Sequence, residues 1–234
     1  MEKIKEEVPE KLRIAVLLSF ISGYINAFTY NNAGELFAGA QTGNVIFMAL
    51  HFAKGNLEKA VEFLIPIISF MIGQIFIYCF RNFFQRRGHK GYIHSSLLML
   101  FIMIMLIVLL PFFDYHFIVV TLAFFAAIQS DTFQRLRGFS YATIMMTGNV
   151  KNAPRLLIEG LVQRDRELLV RGFLLFLIIF SFMLGVGIST YFTQFVKKSA
   201  LVPLILPLSY INYVLFKEEH NVIDVIKSKI RKLK

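Results

Sequence analysis

The chain has 234 residues, a formal charge of +10 and a mean hydropathy of +0.62; 56% of it is hydrophobic and only 17% charged. A soluble domain of this length is far more polar, and here the apolar residues come in blocks of about 20, the length that crosses a bilayer. The composition therefore points away from a large soluble core and from nucleic acid as a partner, and towards a polytopic helical membrane protein. Its positive charge lies in loops and tails, where it sets orientation and meets anionic lipid.

Residues 1–11 are polar and read as a short cytoplasmic tail or a surface helix. The first span covers 12–30, with Ser22, Asn26 and Thr29 at helical spacing on one face, which must point into protein rather than lipid. Asn31-Asn32-Ala33-Gly34 is a turn signal. The segment 35–52 carries Gln41-Thr42-Gly43-Asn44, and a span over 58–80 holds Pro66, Gly73, Gln74 and the lone cysteine, Cys79. One cysteine excludes an internal disulfide and a multi-cysteine metal site. A basic loop (81–90) leads to an almost purely apolar span at 93–110. The next span, 117–133, ends in Gln129, Ser130 and Asp131. The segment 139–150 carries Thr147-Gly148-Asn149, and a charged interfacial helix is expected over 151–166. A long span (168–196), a last span broken by Pro203 and Pro207 (201–216) and a basic amphipathic tail from Lys217, with Val222, Val225, Ile226 and Ile230 on one side, complete the chain.

Thr-Gly-Asn thus occurs twice, 105 residues apart. The flanks match as well. Phe28 and Phe133 keep the same distance to their copies, and Asn26 corresponds to Asp131. Downstream, Ser69-Phe70-Met71-Ile72-Gly73 corresponds to Ser181-Phe182-Met183-Leu184-Gly185. The same blocks in the same order make an internal repeat, with repeat one at 12–110 and repeat two at 117–216, as in transport-type membrane folds.

Two topologies compete. If the Thr-Gly-Asn segments cross, there are eight spans and the repeats are parallel. If they dip in and return, there are six, and an odd number per repeat inverts the second. The six-span arrangement with both termini cytoplasmic places 21 of the 25 lysines and arginines inside, the stronger positive-inside bias. The expected fold is therefore all-α, with about six transmembrane helices in two inverted three-span repeats within one membrane domain. Each repeat carries a broken or re-entrant Thr-Gly-Asn segment, and a single discontinuous span is the alternative geometry for 35–52.

Ser22-Gly23-Tyr24-Ile25-Asn26-Ala27-Phe28, then the run 36–44 and its later counterpart 141–149, resemble the YoaK family of uncharacterised bacterial inner-membrane proteins. The resemblance covers nearly the whole chain and implies a bacterial inner-membrane protein of about six helices, without a known chemistry. It also implies an acidic residue where this chain has Asn26; the carboxylate here is Asp131, at the equivalent place in the second repeat.

The candidate substrate-binding residues are Asn26, Gln41, Thr42, Gly43, Asn44, Gln129, Asp131, Thr147, Gly148 and Asn149. Hydroxyls, amides and glycine-exposed backbone supply neutral dipoles at membrane depth, as broken helices do in transporters. Each has a plainer role. Gly and Thr let helices approach, Asn and Gln bond between helices, and Asp131 can pair with Arg135 one turn on. No His/Cys/carboxylate cluster suggests a metal, and no phosphate loop, dinucleotide fingerprint or nucleophile motif appears. The expectation is no cofactor and no enzyme. The preferred function is a small transporter or channel-like protein for a small neutral solute or weakly bound ion, with the bilayer as its partner and a homodimer as one way to enclose a path. The alternative is a non-transporting sensor, scaffold or assembly factor.

Overall fold

Apolar blocks of bilayer length can satisfy their backbone only as helices, and helices make up almost all of the molecule. The computed structural model describes residues 8–217; the expected tail beyond Lys217 and the first seven residues lie outside them. After a single turn at Val8–Glu10 come α1 (Leu12–Asn32), α2 (Gln41–Ala53), α3 (Leu57–Arg86), α4 (Gly91–Leu109) and α5 (Tyr115–Thr132). A tiny antiparallel hairpin, β1 (Arg135–Leu136) and β2 (Phe139–Ser140), pairs Arg135 with Ser140 and turns through Arg137 and Gly138 at positive φ. Then follow α6 (Met146–Gln163), α7 (Arg166–Val196), a 3-10 stretch (Lys197–Leu204) and α8 over 205–217.

Among the described residues, four stretches are long and apolar enough to cross a membrane: α1, α3, α4 and the run from Arg166 to Lys217. The last is 52 residues long, and the 3-10 stretch divides it into α7 and α8. The 18-residue α5, whose polar end is Gln129 to Thr132, is not among the four. Two expected boundaries move. The helix α3 runs through the expected basic loop as far as Arg86, and the second Thr-Gly-Asn does not sit in its own segment. It forms the first turn of α6, which continues unbroken through the charged stretch expected as a separate interfacial helix.

Helices α1 and α5 form the antiparallel centre. Gln129 Nε2, near the end of α5, donates to Leu18 O (3.0 Å) and Ser22 Oγ (2.6 Å) of α1, while Tyr115, at the start of α5, lies beside Gly34 just past the end of α1. Each central helix has a parallel companion. Ser181 Oγ of α7 donates to Val16 O (2.7 Å), and Ser69 Oγ of α3 donates to Val120 O (2.6 Å). One turn on, glycines allow close approach: a Cβ on Gly185 would lie 2.1 Å from Phe20 O, and one on Gly73 would meet Ala127 Cβ at 2.6 Å and Phe124 O at 3.2 Å. The repeated Ser-Phe-Met-x-Gly block thus does one job twice, joining α7 to α1 and α3 to α5 by a hydroxyl-to-carbonyl bond and a small-residue contact. Helices α4 and α8 close the far side of the core, with Asn212 Nδ2 donating to Ser96 O.

Candidate functional site

Past the end of α1 the chain turns back. Gly34 and Glu35 both take positive φ, a conformation glycine accepts freely and Glu35 accepts at some cost. Residues 36–40 then run inward as a strand of chain without regular secondary structure. Two side chains of α1 hold this strand: Thr29 Oγ1 accepts from Ala38 N–H (3.1 Å), and Asn26 Oδ1 accepts from Gly39 N–H (2.9 Å) and Ala40 N–H (3.0 Å). Asn26 Nδ2 is anchored on Ser22 O. Asn26 lies six residues before the end of α1, so the strand reaches about 9 Å inward at a rise of 1.5 Å per residue. There α2 begins. It climbs back beside α3, and Lys59 Nζ, near the start of α3, bonds Gly34 O at the level where the descent began. The first Thr-Gly-Asn therefore sits at the inner tip of a segment that enters and leaves at the same end of the molecule.

Asn44 makes that geometry possible. Its Oδ1 accepts from Phe37 N–H (3.0 Å), and its Nδ2 donates to Phe37 O (2.8 Å) and Gln41 Oε1 (2.9 Å). The amide clasps the backbone seven residues earlier, satisfying both groups of a buried non-helical peptide. The second copy repeats this. Asn149 Oδ1 accepts from Ala142 N–H (3.2 Å) and Nδ2 donates to Ala142 O (2.7 Å), with Met146 Sδ at 3.5 Å in the place of Gln41 Oε1. The two strands meet. A side chain on Gly39 would strike Ile144 Cγ2 at 2.5 Å, with Asn26 Nδ2 and Ala126 Cβ next to it. Each of these residues stands in the same place before its own Thr-Gly-Asn, so the two broken segments touch between the central helices.

Beside this junction lies an open cavity of about 530 Å³, bounded by α1, α2 and α7. Tyr30, Phe37, Phe47 and Phe182 give it aromatic walls, and Tyr30 stacks on Phe37, which stacks on Phe47. Asn26, Asn31 and Thr190 supply its polar groups, with Asn31 Nδ2 donating to Thr190 Oγ1 across the rim at 3.2 Å. No charged side chain lines it.

Of the ten candidate residues, only Asn26 lines this cavity. Gln41 braces the strand by donating to Ala38 O, and Thr42 is exposed on the first turn of α2. Gly43 lies under the Phe37 ring, 2.9 Å from where a Cβ would be, whereas Gly148 has open space and Thr147 is exposed. Gln129 is a buried strut between α5 and α1 whose Oε1 has no hydrogen-bond partner. Asp131 is not paired with Arg135 as expected, because α5 stops at Thr132 and Arg135 lies in β1. Its carboxylate and backbone oxygen instead take Arg81 Nη1 of α3 at 2.7 and 2.8 Å. Sequence reasoning missed Arg81 and the aromatic and polar lining from α7. The helical spacing of Phe182, Val186 and Thr190 marks one face of α7 and was the signal available.

Among the described residues no group of three or more His, Cys, Asp or Glu is placed to hold a metal ion. No curated protein and no solved structure matches the chain. The family described as protein of unknown function (DUF1275) matches residues 14–213, from the first turn of α1 into α8. The apolar helices and the extent of that match lead to one conclusion: this is a multi-pass integral membrane protein that belongs to the DUF1275 family.

Proposed function

We propose that the protein is a small transporter or channel-like protein for a small neutral solute. The observation that carries this reading is the cavity of about 530 Å³ beside the junction of Gly39 and Ile144, where two broken segments meet between the central helices. Irregular backbone at membrane depth occurs where it is buried in protein or lines a cavity, and here it does both. The volume suits a small organic molecule. Aromatic walls with neutral hydrogen-bonding groups favour an uncharged solute over a fixed-charge ion. Asn26, Asn31 and Thr190 offer the hydrogen bonds; Asn44 and Asn149 hold the architecture.

In the same reading the chain is two inverted repeats with six crossings: α1, α3, α4, α5, α7 and α8. Both termini are cytoplasmic, in a bacterial inner membrane. The antiparallel run of α1 and α5, the matched Ser69 and Ser181 contacts and the positive-inside bias support it. No catalytic role is assigned to any residue, and a homodimer is the assembly we would look for. The second reading, a non-transporting sensor, scaffold or assembly factor, draws on the clasp itself, since a motif that satisfies its own backbone can be retained for architecture alone.

The test is flux into proteoliposomes of a labelled polyol, a neutral sugar and a neutral aromatic amino acid. Val186 lines the cavity, so Val186→Trp plugs it without touching the clasp. The expected result is uptake of at least one solute above empty vesicles and its loss in Val186→Trp. No uptake of any of the three, or uptake indifferent to the plug, overturns the proposal. Topology is checked by impermeant labelling of cysteines placed at Lys54 and Arg86; labelling of both from one side refutes the inverted arrangement.

A further inference from the structure

We propose that Arg81 and Asp131 are the closed gate of a second access route, the counterpart of the cavity beside Asn26, and that the two routes open in alternation. This rests on the transport reading above. The argument starts from the matched contacts. Ser69 and Gly73 join α3 to α5 as Ser181 and Gly185 join α7 to α1, so the two pairs share one geometry up to that turn.

Beyond that turn they differ. On α7 the next residues along the face are Val186 and Thr190, which leave the open cavity facing Asn26 and Ala27. On α3 the corresponding positions are Gln74 and Tyr78. Gln74 Nε2 crosses to α5, donating to Ser130 Oγ (2.7 Å) and Ala127 O (3.2 Å). Further along, Arg81 stands where α7 has Thr193, and it bonds Asp131 through both carboxylate and backbone. The space open in one half is bridged in the other. What remains is a crevice of about 150 Å³ edged by Tyr78, Arg81, Asn82, Gln85 and Asp131, and another of about 180 Å³ edged by Glu10, Tyr92, Thr132 and the same pair.

Asp131 also has a second set of partners within the repeat's logic. Its counterpart Asn26 holds the first strand by accepting Gly39 and Ala40 N–H. The matching amides are those of Ile144 and Met145, and Asp131 bonds neither of them while its carboxylate faces Arg81. A carboxylate accepts hydrogen bonds from either set. With Arg81 it bridges α3 to α5; with Ile144 and Met145 it would hold the second strand as Asn26 holds the first and free α3 to part from α5. One side chain choosing between two partner sets is a two-state element.

The test uses the full chain in proteoliposomes with Cys79→Ser and one reporter cysteine. Ala27→Cys reports the open cavity. Thr132→Cys, at the matching position with a hydroxyl that has no partner, reports the closed route. Asp131→Asn and Arg81→Gln are each expected to raise labelling of Thr132→Cys by an impermeant maleimide at least about fivefold from the Arg86 side, and to lower labelling of Ala27→Cys from the Lys54 side. The charge exchange Arg81→Asp with Asp131→Arg re-forms the bridge but leaves position 131 with no acceptor for the Ile144 and Met145 amides, so labelling of Thr132→Cys is expected to fall back to the parent level or below it. Unchanged labelling at Thr132→Cys overturns the gate, as does a rise at both reporters, which would mean loosening rather than exchange. Reciprocal labelling without flux of any solute keeps the gate and removes transport; flux without reciprocal labelling does the reverse.

Discussion

Replacing Asn44 with Ala should cost stability rather than only function, and the size can be worked from the clasp. The substitution strands Phe37 N–H and Phe37 O in a site where Asn44 has no exposed surface. Each orphaned buried group costs about 1–3 kcal/mol, giving about 2–6 kcal/mol for the pair. For a chain of this size, at about 2–4 °C per kcal/mol, that is a fall in melting temperature of about 4–24 °C. Asn149→Ala strands the matching pair at Ala142, with contacts of 3.2 and 2.7 Å against 3.0 and 2.8 Å, and loses a thioether neighbour where Asn44 has an amide oxygen, so its cost is smaller by that third contact. Asn44→Asp keeps an acceptor for Phe37 N–H but turns a carboxylate towards Phe37 O and Gln41 Oε1, and should be at least as damaging as Ala. Scanning fluorimetry of the purified protein in detergent reads all three. Melting of Asn44→Ala within about 1 °C of the parent, or a larger drop for Asn149→Ala, refutes the clasp as the source of the broken segments.

Other consequences are narrower. Gly23→Ala and Gly185→Ala place a Cβ 2.0 and 2.1 Å from the backbone oxygens of Phe182 and Phe20 and should lower the melting temperature by several degrees, whereas Gly187→Ala, with nothing within 4 Å, should stay within about 0.5 kcal/mol of the parent; the same measurement separates Gly43→Ala, under the Phe37 ring, from a tolerated Gly148→Ala. Asp114 caps α5, and its carboxyl is held below the usual 3.8 by the Phe117 N–H and then by His116. A depressed carboxyl stabilises above its unfolded value and loses that contribution as pH falls through the lower folded one, so side-chain NMR should place its midpoint below 3.8, and a midpoint at or above 3.8 would contradict the cap.

The parts of this fold legible in the sequence are those written in apolar length and in repeated words. Helices α1 and α4 lie within about two residues of their expected bounds because their apolar blocks have clear polar edges. The repeat was legible because Ser69 and Ser181, and Asn44 and Asn149, each do a matched job that needs a matched side chain. What escaped depends on where helices part. Arg81 read as the first residue of a basic loop, since a charge after an apolar block looks like its end; in three dimensions its stem continues α3 and its head finds Asp131. The cavity lining from α7 carries no composition signal, because Val186 and Thr190 line a space only by standing beyond the Gly185 contact. Asn31, read as part of a turn, is still helical and reaches Thr190 from the last turn of α1.

The doubled Thr-Gly-Asn drew attention first, yet its asparagines serve the same purpose in both halves. In a pseudo-symmetric molecule a residue kept in both copies maintains what the copies share, here an unwound strand clasped to the start of a half-helix. Direction, by contrast, can only come from positions where the copies differ. Among those positions are Asn26 against Asp131, Val186 against Gln74 and Thr193 against Arg81. One half lines an open aromatic cavity with neutral groups, and the other crosses the matching space with a glutamine and an ion pair. A packing repeat has no need of such a difference, since Ser and Gly alone already join the helices. Under the alternating-access proposal, a protein that opens to one side at a time needs two halves that do not close at once, and these unmatched residues are the ones that would supply that inequality.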